Sequence, residues 1–346
     1  MASGRKIMVA VDDSEVSAYA FTWALHNLVR KSDQVIVLTA APFVDVTYPS
    51  SDMAAEYGPT VIPSEFDTEN KMKNVNADAK ELIAKCISQC NQADISCTGE
   101  VVKGDAGTWI VDEANRLGAD VIVVGSKGSG VLKRVFMGSN SDYVLHNATC
   151  PVAVVRHVEE DLKVHDPLSS SGGSRKVVIA VDESREAVYA FKWALENFAN
   201  EEDKVILYHV NQSVPPVTTA GTGEFGMEEV CVPTETLGKT EVQALDESEK
   251  LVEKYMEYAA KETKIKCEGI VVSGQPEVKV IEGLTNLQAD AVIIGTHDRG
   301  SLSRTLLSSV TDYLANNSPC PLIVARMPKI AAEPETEAAS EHKRST

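Results

Sequence analysis

Three glycines and the residues among them hold the clearest chemistry in this sequence: Gly125, Gly128 and Gly138, with Ser139 directly after the last. Glycine lets a ligand approach the backbone closely and permits unusual dihedrals. Lys127, Lys133 and Arg134 add positive charge to the same stretch. Ser139 is a good helix N-cap, and Ser141, Asp142 and Tyr143 carry a helix onward. The first N–H groups of a helix have no partner within it and can bind an anion. Together these residues suit a non-covalent hold on phosphate. The plainer alternative is a tight strand-to-helix turn with no ligand.

Such a loop needs a strand before it. The apolar run Val121 to Val124, flanked by Asp120 and Gly125, reads as a strand buried on both faces. Upstream, Lys6 to Val11 is strand one, ended by Asp12 and Asp13, with Ser14 as a cap. Ala18, Phe21, Ala24, Leu25 and Leu28 then recur at helical spacing. Val35 to Ala41 is strand two, and Pro42 to about Asn70 is a long loop. An amphipathic helix follows from Asn76 to Cys90, and Ile95 to Lys103 is strand three. A helix from about Thr108 to Leu117 leads to strand four, and Val152 to Arg156 is strand five. Alternating strands and helices imply an α/β fold with a doubly wound parallel sheet. Ligands in such sheets sit beyond the carboxyl ends of the strands, where strand order reverses. Strands one and four both end in polar or glycine-rich turns, which places that point between them. The dinucleotide fingerprint is absent after strand one, and no GxxxxGK[ST] sequence occurs.

The chain repeats itself. RKIMVAVDDSEVSAYAFTWALHN from Arg5 and RKVVIAVDESREAVYAFKWALEN from Arg175 agree at 13 of 23 positions, at an offset of 170. The same offset relates GADVIVVGSKGSG from Gly118 to QADAVIIGTHDRG from Gln288, and Cys150–Pro151 to Cys320–Pro321. We therefore expect one domain over residues 1–157, a linker over 158–174, a second copy over 175–328 and a disordered tail over 329–346.

A net charge of −18 argues against nucleic acid and anionic membranes as partners, and it sets the basic loop apart. Seven cysteines lack paired metal spacing. No apolar run approaches the length of a membrane span. Met1 to Lys6 leads straight into a strand, so no leader is expected. These features point to a reducing compartment, the cytoplasm or nucleus.

Gly125-x2-Gly128-x9-Gly138-Ser139 resembles the nucleotide motif G-2x-G-9x-G-(S/T) of the universal stress protein family. VAVDDSE, YAFTWAL and CPVAVV are similar to that family too, and the resemblance covers both copies. The whole chain looks like a tandem universal stress protein, plausibly plant-like. This implies two tandem five-stranded sheets of order 3-2-1-4-5, of the adenine-nucleotide α-hydrolase-like kind. It implies copies that pair through their fifth strands, within one chain or in a homodimer. It also implies an adenine nucleotide: ATP, or AMP or ADP, with or without Mg. Ala10, Val11 and Asp12 would then lie at the adenosine, with Ala40 against adenine. Gly125, Gly128, Arg134, Gly138, Ser139, Asn140 and Ser141 would surround ribose and phosphates.

The second copy departs from this motif. Gly128 becomes Asp298, Gly138 becomes Ser308, Lys127 becomes His297 and Lys133 becomes Ser303, while Gly295, Arg304 and Ser309 are kept. A carboxylate beside a phosphate is repelled by roughly 1–4 kcal/mol at about 4 Å. We expect one working nucleotide site, in the first copy, with a scaffold role for the second. Weak or different ligand binding in the second copy stays open, because Asp182 and Val210 suit an adenosine pocket.

No Ser/His/Asp set can be assembled. Hydrolysis would need a placed water, usually with a metal and a base; Asp12 or Asp13 could hold Mg near phosphates, or Asp12 could simply bond ribose or cap the first helix. His26 reads as a surface residue and His146 as structural. Cys150 and Cys320 read as packing residues, and Cys231 as the best candidate for an exposed thiol. Tyr19 and Trp23, like Tyr189 and Trp193, share one helix face for core or interface packing. The expected function is nucleotide-dependent association in a stress response. The alternatives are a non-nucleotide assembly or binding module, or a slow ATPase.

Overall fold

A computed structural model describes residues 4–41, 65–127, 137–156, 174–212, 234–296 and 307–327. The first half runs β1 (Lys6–Ala10), α1 (Glu15–Asn27), β2 (Gln34–Ala41), α2 (Glu65–Gln92), β3 (Ser96–Lys103), α3 (Ala106–Leu117), β4 (Val121–Gly125), α4 (Ser139–Asn147) and β5 (Val152–Val155). The second half repeats it as β6 (Lys176–Ala180), α5 (Arg185–Asn197), β7 (Lys204–Asn211), α6 (Thr234–Glu262), β8 (Cys267–Ser273), α7 (Pro276–Leu287), β9 (Ala291–Gly295), α8 (Ser309–Asn317) and β10 (Leu322–Ala325).

The expected α/β class is the one observed, but the sheet differs from the expected pair. The ten strands form a single sheet, ordered β3-β2-β1-β4-β5-β10-β9-β6-β7-β8. Each half keeps the order 3-2-1-4-5 and its neighbours run parallel. The halves meet where β5 and β10 run antiparallel, with Ala153 opposite Ile323. Physically, VAVV and LIVA are wholly buried strands that would each be an exposed apolar edge if left alone. Pairing them removes both edges.

One further boundary differs from the sequence reading. The helix expected from Asn76 begins at Glu65, inside the expected loop, and α6 begins at Thr234. Residues 42–64 and 213–233 lie outside the described residues, as do 158–173 of the expected linker and the expected tail.

Helices cover both faces of the sheet. On one face, α1 and α5 bury Phe21, Trp23 and Phe191 in a core shared by the two halves. Trp23 stacks on Phe198 of the second half with ring centroids 6.0 Å apart. On the other face, α3, α4, α7 and α8 pack a second shared core that includes Leu145, Leu284 and Leu314.

Arginines stitch the halves reciprocally. Arg5 bonds Asp33 at 2.6 Å and Leu28 O at 2.8 Å in its own half, and Asn197 O at 2.7 Å in the other. Arg175 bonds Asp203 at 2.6 Å and Asn27 O at 3.0 Å across the same interface. Beside the β5–β10 seam, Arg156 donates to Ala315 O and Arg326 to Leu145 O. His146 lies between Asp142 at 3.5 Å and Asp312 at 3.4 Å.

The glycine that closes β4 has a packing reason. A Cβ on Gly125 would lie 3.2 Å from Val16 Cγ1 and 3.3 Å from Ser17 N, both on α1. The counterpart Gly295 is tighter, with Glu186 O at 2.4 Å and Ala187 N at 3.0 Å. A helix backbone cannot yield as a side chain can. We expect Gly295→Ala to cost about 1–3 kcal/mol or more, and Gly125→Ala less. Urea midpoints of the two variants check this, and equal losses would contradict it.

Candidate functional site

The predicted site residues come from the carboxyl ends of β1, β2 and β4 and the start of α4. Ala10 and Ala40 are half-buried at the ends of adjacent strands, and Val11 is buried, its N–H on Leu38 O at 2.9 Å. Asp12 follows, with Oδ1 accepting from the N–H of Ser14 at 3.1 Å and its hydroxyl at 2.5 Å. Ser14 in turn caps α1 by accepting from Ser17 N at 3.1 Å. Asp182 and Ser184 make the same turn in the second half, with N–H to Oδ1 at 2.8 Å. One carboxylate oxygen of each aspartate therefore shapes the turn, and this feature does not distinguish the halves.

At the other side of the cradle the structure corrects the sequence reading. Gly138, not Ser139, is the N-cap of α4, and it makes no side-chain cap bond. Ser139 is the first helical residue, exposed like Asn140. Ser141 is buried, and its hydroxyl donates to Gly125 O at 2.5 Å, tying α4 to the end of β4. Its side chain thus positions the helix. Gly138 N donates to Ser126 O at 2.8 Å, and the preceding Met137 N donates to Asn316 Oδ1 of the second half at 3.2 Å. Gly128, Lys133 and Arg134 lie outside the described residues, as do His297, Asp298, Ser303 and Arg304.

The halves differ at this cap. Ser308 stands where Gly138 does, with φ −68° and ψ 153° against −67° and 147°. Its hydroxyl accepts from Thr311 N at 3.2 Å and lies 2.8 Å from Thr311 Oγ1. One step on, Ser309 Oγ donates to Glu277 Oε1 at 2.8 Å. The second half therefore satisfies one N–H of its helix start, that of Thr311, with its own side chain and sets a carboxylate beside it. The first half has Gly107 where the second has Glu277, and no side-chain cap. Sequence alone contains the Gly138/Ser308 and Gly107/Glu277 exchanges, but not that Glu277 reaches α8.

The universal stress protein family model matches the chain twice, over residues 4–156 and 173–326. The chain belongs to the universal stress protein family. A universal stress protein of Mycolicibacterium smegmatis is 25% identical over 320 residues, covering 92% of this chain and 96% of that protein. Universal stress protein Sll1388 of Synechocystis is 31% identical over 155 residues, covering 44% of this chain and 97% of that one. Among solved structures, a universal stress protein from Archaeoglobus fulgidus superposes with a TM-score of 0.58 at 18% identity, covering 94% of this chain and 97% of that one. That likeness concerns the fold alone. The tandem organisation read from the repeat agrees with these matches.

Other predicted chemistry is not assembled. Among the described residues, no group of three or more His, Cys, Asp or Glu could hold a metal ion. No helix among them is long and apolar enough to cross a membrane. His26 is exposed on α1, with Nδ1 donating to Thr22 O at 2.8 Å. Burial pushes the thiols of Cys150 and Cys320 up to about 12, and those of Cys86 and Cys267 up to about 11. A thiol that stays protonated is a poor nucleophile. These four cysteines are expected to resist iodoacetamide at pH 7.5 in the native state, as read by peptide mass spectrometry. Cys231 lies outside the described residues and is expected from its sequence setting to label first.

Proposed function

We propose that the first half binds an adenine nucleotide, ATP by preference, and that the protein acts through nucleotide-dependent association in a stress response. The observation that carries this reading is the start of α4: a glycine N-cap with no side-chain acceptor, at the carboxyl end of a parallel sheet. Orphan helix N–H groups and the positive end of the helix dipole favour a phosphate there. Lys127 is half-buried at the start of the loop that leads from β4 to this helix.

Ala10, Val11, Asp12 and Ala40 would border the base and ribose. Gly125, Gly128, Gly138, Ser139 and Asn140 would supply backbone to the phosphates, with Ser141 steadying the helix and Arg134 adding charge. Asp12 is the candidate for Mg near the phosphates, since a carboxylate oxygen is a hard ligand. A bound Mg would neutralise phosphate charge.

We assign no catalytic residue, because binding requires none of the groups that hydrolysis would. The two halves, taken as units over 1–157 and 175–328, are proposed to pair within the chain through β5 and β10, in place of a homodimer. Isothermal titration with ATP, AMP and GTP tests the site. Saturable ATP binding at one site per chain is expected, and equal affinity for GTP would remove the adenine assignment. Phosphate release by the pure protein, compared with Gly128→Asp, tests the slow-ATPase alternative. Release that Gly128→Asp abolishes would establish turnover at this site.

A further inference from the structure

A closed circuit of hydrogen bonds joins the start of α4 to the second half. Ser126, the residue after β4, donates its N–H to Val155 O at 2.8 Å, and its carbonyl accepts from Gly138 N at 2.8 Å. Arg156, next to Val155, donates to Ala315 O on α8. Asn316, next to Ala315, accepts at Oδ1 from Met137 N at 3.2 Å, and Met137 directly precedes Gly138. The two side chains in this circuit, Arg156 and Asn316, belong to half-buried residues.

The Asn316 amide is held at both ends. Its Nδ2 donates to Asp312 O at 3.0 Å, one turn back on α8, which leaves Oδ1 to face Met137. His146 stands at the matching position on α4. Its Nδ1 bonds Asp142 O at 2.8 Å, and its Nε2 lies 3.4 Å from Asp312 Oδ1. The histidine thus faces oxygens, whereas the asparagine takes a backbone N–H of the other half.

What the tether holds gives it a role. Gly138 has no side chain to restrict its backbone or to cap α4. The direction of the first N–H groups of α4 then depends on how the chain enters the helix, and Asn316 fixes the last residue before the cap. The second half has less need of such help, since Ser308 bonds Thr311 N from its own side chain. We propose that Asn316 is a positioning residue for the phosphate end of the first-half site, so that the second half orients a cradle built in the first. This rests on the nucleotide reading given above.

Asn316→Leu and Asn316→Ala in the full chain test it, the first keeping bulk and the second adding none. Asn317→Leu is the control, because Asn317 Nδ2 makes the same bond one turn back, to Tyr313 O at 2.8 Å. In the nucleotide-free protein, NMR is expected to show the Met137 amide exchanging at least about fivefold faster in both Asn316 variants and unchanged in the control. ATP affinity is expected to fall about threefold to tenfold in both Asn316 variants, as for the loss of one hydrogen bond. Adenosine affinity, read by ligand-observed NMR, is expected to stay unchanged, because adenosine has no phosphate to place. Unchanged Met137 exchange, ATP binding that either Asn316 variant leaves intact, equal losses for ATP and adenosine, or an equal loss in Asn317→Leu would each overturn the proposal. No ATP binding by the unaltered chain would remove the nucleotide reading and this one with it, whereas ATP binding that survives the Asn316 variants removes this one alone.

Discussion

Gly138→Ser is expected to lower ATP affinity by about 10-fold to 100-fold while raising the melting temperature of the free protein slightly. The backbone already suits the new residue, because Ser308 occupies the same dihedrals in the second half within a few degrees. The introduced hydroxyl should then accept from the third residue of α4, as Ser308 does from Thr311. A serine cap exceeds glycine by only a few tenths of a kcal/mol, which sets the small gain in stability. The loss in binding is larger, because the phosphate must displace an internal acceptor and share a narrowed approach. About 1.4 kcal/mol corresponds to each tenfold. Titration calorimetry and thermal melting measure the two signs together. Gly138→Ala separates the causes, since it adds the Cβ without the hydroxyl. An alanine variant as weak as the serine one would show that space, not capping, decides. Unchanged affinity in Gly138→Ser would place the nucleotide elsewhere.

The second large effect concerns the joint between the halves. Arg5→Ala is expected to destabilise the protein by about 3–5 kcal/mol, because it strands a charge in a closed setting. Asp33 is only 2% exposed at its side chain and receives Arg5 at 2.6 Å. Arg30 N also donates to Asp33 at 2.9 Å, but a backbone amide cannot replace a guanidinium's charge. The same substitution removes donors from Leu28 O and from Asn197 O, the latter in the other half. Urea denaturation of Arg5→Ala and Arg175→Ala should give similar losses, since Asp203 is equally buried beneath Arg175. Replacing the pair together, Arg5→Met with Asp33→Leu, should recover most of the loss, as no unpaired charge is left. A loss below about 1 kcal/mol for Arg5→Ala would show that water reaches the pair.

How far the fold was legible follows from what each signal depends on. The strands β1, β4 and β9 are short apolar runs bounded by charged or glycine residues, and local pattern suffices for these. The repeat at an offset of 170 made the second half as readable as the first. The start of α2 was not legible, because Glu65 to Asn76 is polar and shows no apolar stripe. The cap was misplaced by one residue because serine at position 139 outranks glycine at 138 by propensity alone. A glycine cap that leaves the helix start without a side-chain acceptor looks, in sequence, like an ordinary loop glycine. By sequence Gly125 fits a ligand-facing glycine, whereas in the fold its missing side chain also makes room for α1.

The sequence by itself determined the α/β class, the duplication and the family, because these depend on periodicity and on residue types at short range. The tertiary structure decided between the two ways the fifth strands were expected to pair: β5 joins β10 of the same chain, across well over a hundred residues, so the two sheets are one. It also decided that Glu277 sets its carboxylate at the start of α8, on a hydroxyl 32 residues further on. Contacts of that range arise from packing whole elements, and no local pattern encodes them.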